Sequence, residues 1–206
     1  MVKITTDKKP FFSVIVPAHN SENWIRAGLK SIKKQTFTDY ELIVVCDACT
    51  DGTADIALGY ADKTLIRDYH LDGLARNAGL DAAEGEYILF MDDDDWFWND
   101  EVFQQIHDAV VASLPDVLMF GFYWKERGMR YQDGGNRVIA CWAKCWKRSA
   151  IGGTRFSDRP YWSDVDFDNR MFAKDLKIVV LNECMYYYNY LRPGSISWRQ
   201  QKGEIQ

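Results

Sequence analysis

One stretch constrains this chain more than any other: Glu86-Tyr87-Ile88-Leu89-Phe90-Met91 runs directly into Asp92-Asp93-Asp94-Asp95-Trp96. A short apolar run bounded by turn-prone polar residues predicts a buried strand. It ends in four consecutive carboxylates. Like charges this close raise one another's pKa values unless a cation intervenes, so the cluster needs a partner. Open α/β sheets bind ligands outside the carboxyl ends of their strands. Asp92 and Asp94 form an Asp-x-Asp unit whose hard oxygens suit Mg²⁺ or Mn²⁺ bridging a diphosphate. A solvated acidic turn is the bland alternative. An EF-hand loop does not fit, because counting from Asp92 its sixth position is Phe97 instead of Gly and its twelfth is Phe103 instead of Glu. An aspartyl-phosphate phosphatase usually carries such a unit on its first strand, and here it comes well into the chain.

The residues before this stretch alternate strand and helix. Residues 1–10 read as a frayed terminus. Phe11 to Val16 predicts a first strand stopped by Pro17, with Asn20 or Ser21 capping a helix whose stripe is Ile25, Leu29 and Ile32. Tyr40 to Cys46 predicts a second strand, followed by a turn and a short helix that Asp51 or Thr53 caps. Thr64 to Arg67 predicts a third strand. The helix predicted from about Asp72 to Ala82 carries Ala75, Ala78, Gly79 and Ala82, small enough to pack closely on a sheet. This is the pattern of a parallel sheet flanked by helices, an α/β fold. Three strands end in polar residues, at His19 and Asn20, at Asp47, and at Asp92 to Asp95. Parallel strands bring those ends to one edge, so a single cleft collects them, which weakens the solvated-turn alternative.

The second half is less regular. A helix is expected over Asn99 to Ala112, a strand over Asp116 to Phe122, and a hairpin or loop over residues 127–137. A helix over Asp164 to Lys174, a strand over Lys177 to Leu181 and a further strand over Glu183 to Tyr190 follow. The 206 residues suit one domain with a substantial core. A net charge of −5 argues against a nucleic-acid partner. Five cysteines, an odd number, favour reduced thiols and a cytoplasmic setting. Cys46-x-x-Cys49 and Cys141-x-x-x-Cys145 do not favour zinc, since Cys46 closes a strand and the chain has only three His. No apolar run reaches the length of a membrane span, so any membrane association is expected to be peripheral.

Several segments then match a family in order: Ser13 to Asn20, Gln35-Thr36-Phe37, Glu41 to Val45, Asp47, Thr50 to Thr53, Ala75 to Leu80, Ala83 to Ile88, Asp92 to Trp96, Asp164 to Arg170, and Arg192 to Ser197. Across residues 11–198 the chain resembles the inverting glycosyltransferases of family 2, which have the GT-A fold. The resemblance implies a Rossmann-like, mostly parallel sheet in a single domain. About 11–98 would hold nucleotide sugar and metal, and about 99–198 the acceptor. It implies a nucleoside diphosphate sugar donor, Mn²⁺ or Mg²⁺, and transfer of one sugar to a hydroxyl of a glycan or lipid-linked glycan, in the cytoplasm, where any membrane contact would be peripheral, at the inner face. The segment and membrane helices of processive members are absent.

The resemblance also implies roles. Asp47 would accept a base N–H, which favours uracil, with guanine the competitor. His19, beside Pro17, would lie against base or ribose, or make a loop hydrogen bond. Asn20 and Glu22 belong to the same loop, with Glu22 on the first turn of the helix. Arg76 would face phosphate, the alternative being a solvated helix face. Asp92 would reach ribose or metal, Asp93 would bind substrate beside it, and Asp94 would be the direct metal ligand. Trp96 and Trp142 would pack on acceptor sugar or in the core. Arg192, Ser195 and Ser197 would clamp phosphate. Asp164 would be the general base, with Asp166 the alternative if it is not consumed by Arg170 four residues on, and with Asp168 on a solvated face. Three departures stand out: Cys46 replaces the first of two Asp residues, Ala48-Cys49 replaces Gly-Ser, and Ser163 replaces a Glu. The rivals are a sugar nucleotidyltransferase, which needs a Gly-rich basic loop where Pro17-Ala18-His19-Asn20 stands, and an inactive nucleotide- or carbohydrate-binding module.

Overall fold

The computed structural model describes residues 8–132, 137–190, 192–193 and 195–204. Its first half alternates as the periodicity predicts. β1 (Phe12–Ala18), β2 (Tyr40–Asp47), β3 (Lys63–Arg67) and β4 (Tyr87–Phe90) are separated by α1 (Ile25–Lys33), α2 (Thr53–Leu58) and α3 (Asp72–Ala82). Every residue of β1 and β4 is buried, because helices cover both faces of a parallel sheet. Alternate side chains serve two cores. Val14, Val16, Leu42 and Leu89 pack with the Ile25, Leu29 and Ile32 stripe of α1. Ile15, Ile43, Ile88 and Phe90 pack with Ala75 and Leu80 of α3. Small residues bring α3 hard against the sheet: a Cβ on Gly79 would lie 2.3 Å from Cγ2 of Ile15.

Local details differ from expectation. Pro17 does not stop β1 but continues it opposite Val45. The carbonyl of Ile15 accepts from Met91 N–H on the β4 side, and pairing with β4 ends at Ile15. Pro17, two residues on, therefore faces a lane with no partner strand, where a missing N–H is tolerated. Neither Asn20 nor Ser21 caps α1 with its side chain. The carbonyl of Ser21 accepts from Trp24 and Ile25 instead, while Asn20 Oδ1 accepts from Thr50 N–H at 2.8 Å. At α2, Asp51 accepts from Thr53 N–H at 3.0 Å.

The second half adds β5 (Trp96–Phe97), α4 (Val102–Ser113), β6 (Val117–Trp124), β7 (Gly128–Arg130), β8 (Lys144–Lys147), α5 (Arg148–Ile151), α6 (Ser163–Phe172), β9 (Ile178–Tyr188) and α7 (Ile196–Gln201). The strands form one sheet in the order β3-β2-β1-β4-β8-β6-β9-β5, with β7 also on β6. β8 lies antiparallel between β4 and β6, and β9 is parallel to β6. Strands β1 to β4, β6 and β9 thus share one direction, and the fold is a single α/β domain of the GT-A kind. The two strands expected after residue 176 are one strand, β9, whose register shifts around Gly121 of β6. The expected 127–137 hairpin is present as β7 folding back on β6, while residues 133–136 lie outside the described residues. Among the described residues no helix is long and apolar enough to cross a membrane.

Candidate active site

A cleft of about 710 Å³ opens where β1, β2 and β4 end, as the strand-end argument requires. Pro17, His19, Asn20, Asp47, Arg76, Asp92, Asp93, Asp94, Arg192 and Ser195 all line it. Glu22, Trp142 and Asp164 do not.

The four aspartates that organise the sequence part company in space. Asp92 accepts from Arg76 Nη2 at 2.7 Å. Asp93, nearly buried, accepts from the His19 N–H at 3.1 Å and from Arg192 Nη2 at 3.3 Å. Asp94 pairs with Arg192 Nε. Asp95, fully buried, accepts from the Tyr186 hydroxyl at 2.7 Å and from Asn189 N–H at 2.8 Å. The Tyr186 oxygen in turn accepts from Asp92 N–H at 3.1 Å. Burial, then the charge of Asp93, pushes the Asp94 carboxyl up to about 7. Burial likewise raises Asp93 and Asp95.

At the other end of the cleft, Asp47 already has work. Its oxygens accept from the N–H groups of Tyr69 and Leu71, the latter at 2.9 Å, so it pins the loop around His70, whose φ is 56°. Expected contact with a base thus shares the carboxylate with a structural duty. His19 Nδ1 meets the Asp47 carbonyl at 2.7 Å, the loop bond given as its alternative, while its ring still lines the cleft. Glu22 precedes α1 rather than lying on its first turn, and it accepts from Gly52 N–H at 2.8 Å. It braces the neighbouring loop and takes no part in the cleft wall.

Arg76 is buried rather than solvated, with its guanidinium forked between Asp72 and Asp92. Asp164 sits in the first turn of α6. Its charge acts on Arg76 and Asp92, which do line the cleft. Burial raises its pKa, partly offset by Arg76, whereas the helix start alone would have lowered it. Asp166 is taken by Arg170 at 2.6 Å, as the spacing suggested. Asp168 is not on a solvated face: it is fully buried, 2.8 Å from Lys144 Nζ and 3.0 Å from Arg137 Nε.

Trp142 belongs to the core. It is 5% exposed and stacks on Tyr186 and Tyr188, each with ring centroids 4.9 Å away. Trp96 stacks on Tyr187 at 4.0 Å. Arg192 lies over the Trp24 ring at 5.9 Å, and Ser195 also caps α7 by accepting from Trp198 N–H at 3.2 Å. The side chain of Ser197 lies outside the described residues. The sequence reading missed His70, Leu71 and Asp72 in the cleft wall. They follow the end of β3, so applying the strand-end argument to that strand as well would have found them.

Among the described residues no group of three or more His, Cys, Asp or Glu side chains surrounds a common point. A divalent cation held by Asp94 together with a diphosphate still fits. Among the described residues Asp94 is paired through Oδ2 alone, which leaves Oδ1 as a hard oxygen, and Mg²⁺ often takes one or two carboxylates plus substrate phosphates.

The comparisons agree with this geometry. Residues 13–182 match the model of glycosyl transferase family 2. TuaG of Bacillus subtilis, named as a candidate glycosyltransferase of teichuronic acid biosynthesis, is 35% identical over 96% of this chain and 86% of its own length. EpsH of the same organism, named as a candidate glycosyltransferase, is 37% identical over 94% of this chain. The crystal structure of S. aureus TarS in complex with UDP-GlcNAc superposes with a TM-score of 0.81 at 27% identity, covering 89% of this chain. The chain spans 64% of EpsH and 59% of that TarS chain, under two thirds of each. By its family match and its relatives, the chain belongs to glycosyltransferase family 2.

Proposed function

We propose that the chain moves one sugar, with inversion and with Mn²⁺ or Mg²⁺, from a UDP-linked donor to a hydroxyl of a glycan or lipid-linked glycan. The observation that carries this reading is the single cleft in which Arg76, Arg192, Asp92 and Asp94 converge, with the half-buried Asp164 electrostatically coupled to it. The UDP-GlcNAc bound by TarS supports the choice of donor. Residues 11–98 act as the donor half and 99–198 as the acceptor half, working in the cytoplasm with peripheral contact at the inner membrane face.

The base lies at the His19, Asp47 and His70 end, and the diphosphate near Arg76 and Arg192. Asp94 would hold a divalent cation there, which would supply charge neutralisation for the departing nucleoside diphosphate. Asp164 takes the proton of the acceptor hydroxyl, whose oxygen attacks the anomeric carbon as the bond to the diphosphate breaks on the opposite face. Incubation with UDP-, GDP-, dTDP- and CDP-sugars and Mn²⁺ tests this. The expected result is release of UDP, with the configuration of the product inverted by NMR. Tightest binding of CDP, whose cytosine lacks the ring N–H, or retention of configuration, would refute it.

A further inference from the structure

We propose that Asp72 is a positioning residue that locks the acceptor-side helix carrying Asp164 to the donor-side pair Arg76–Asp92. It rests on the glycosyltransferase reading above and deepens it. Asp72 lies in the first turn of α3 and lines the cleft. Its Oδ1 accepts from the Oγ of Ser163 at 3.1 Å. Ser163 is fully buried, is the first residue of α6 and stands next to Asp164. The Oδ2 of Asp72 pairs with Nη1 of Arg76, and Nη2 of that guanidinium reaches Asp92 at 2.7 Å. One carboxylate thus joins three segments of the site: α3, the start of α6 and the acidic end of β4.

The packing around it leaves little slack. A Cβ on Gly73, the next residue, would lie 2.5 Å from the Ser157 carbonyl oxygen and 2.9 Å from Ser163 Cβ. Asn77, further along α3, grips the same segment with both ends of its amide: Nδ2 donates to the Phe156 carbonyl at 2.9 Å and Oδ1 accepts from Phe156 N–H at 2.8 Å. Residues 156–163 are therefore sewn to α3 at two points. The Asp72 point continues into the donor site through Arg76 by charged hydrogen bonds, whereas the Phe156 point meets that guanidinium through its ring face, at 5.6 Å. A small shift of α6 changes where Asp164 stands relative to the anomeric carbon, and proton transfer is sensitive to such misplacement. Asp72 touches neither reacting atom in this scheme. It sets the distance between the base and the donor.

Asp72→Asn and Ser163→Ala, singly and together, test the lock. The assay follows UDP-GlcNAc hydrolysis with Mn²⁺, water standing in for the acceptor, alongside UDP affinity by calorimetry. The expected result is a fall in kcat of about tenfold or more for each variant with UDP affinity changed by less than about threefold, and a double variant no slower than Asp72→Asn alone. A purely structural role would lower the melting temperature without this split between turnover and binding. Wild-type turnover in a folded Asp72→Asn protein would overturn the proposal, as would multiplicative losses in the double variant. Wild-type protein that neither binds UDP nor hydrolyses any nucleotide sugar would overturn the glycosyltransferase reading, and the proposal with it.

Discussion

Asp164 shows how a residue's surroundings reverse a local rule. Its place in the first turn of α6 favours the carboxylate, yet burial outweighs this and raises its pKa. The folded state then binds a proton more tightly than the unfolded chain, so this group's contribution to stability falls as pH rises from the ordinary carboxylate value through the raised one. Asp164→Asn should therefore be slightly more stable than wild type at neutral pH. Sugar transfer should fall by about a hundredfold or more while UDP affinity stays near wild type, and wild-type turnover should drop as pH falls through the raised value. A pH–rate profile with parallel thermal melts checks both signs. If Asp166→Asn loses transfer and Asp164→Asn does not, the base is Asp166. A second residue-scale outcome concerns Cys49, brought down to about 7 chiefly by the hydrogen bond from Cys46. Cys46, Cys141 and Cys145 are buried. Iodoacetamide at pH 7.5 should label Cys49 first, as peptide mass mapping would show. Such residue-level facts were only half legible. Asp-x-Asp and the strand ends were visible as chemistry and Arg76 only through the resemblance, but whether Asp47 is free or already pinning Tyr69 and Leu71 depends on a loop that no spacing encodes.

Elements in the first half were legible because they obey one period each. The α1 stripe, the buried β-run of β4 and the bounds of α3 all follow from residue order alone. The second half mixes antiparallel strands into a parallel sheet, and its short pieces carry no period: β5 has two residues and α5 four. Trp142 illustrates the cost of reasoning from type, since a Trp suited to sugar is equally suited to stacking between Tyr186 and Tyr188. The packing of α3 gives an element-scale test. Gly79→Ala forces a methyl onto Ile15 of β1, and moving the helix away also strains Arg76 and Asp72. The expected loss is about 1–3 kcal/mol by urea unfolding, with weaker UDP binding. Ala at position 79 with unchanged stability would mean that α3 rides further from β1 than described.

On the scale of the whole molecule, nucleotide and cation should bind as a unit, because each offsets the other's charge beside Asp94. UDP with Mn²⁺, both at about 100 times Kd, should stabilise the fold by roughly 2.7 kcal/mol. Asp94→Ala should lose the Mn²⁺-dependent share in a thermal shift. An undiminished Mn²⁺ effect in that variant would remove Asp94 as the ligand. The four neighbouring aspartates also set the order in which the site is made. Asp92 is held by a residue 16 positions earlier and Asp93 by one 74 earlier, whereas Asp94 and Asp95 wait for partners 91 to 98 positions later. During synthesis the acidic turn therefore emerges half tethered, and contacts so distant in sequence form late. A nascent chain arrested after residue 182 would carry the whole first half of the sheet and still lack Tyr186, Asn189 and Arg192. Released as a truncated protein, it should leave the turn open to protease and fail to retain UDP, because the pocket exists only once synthesis has passed Arg192.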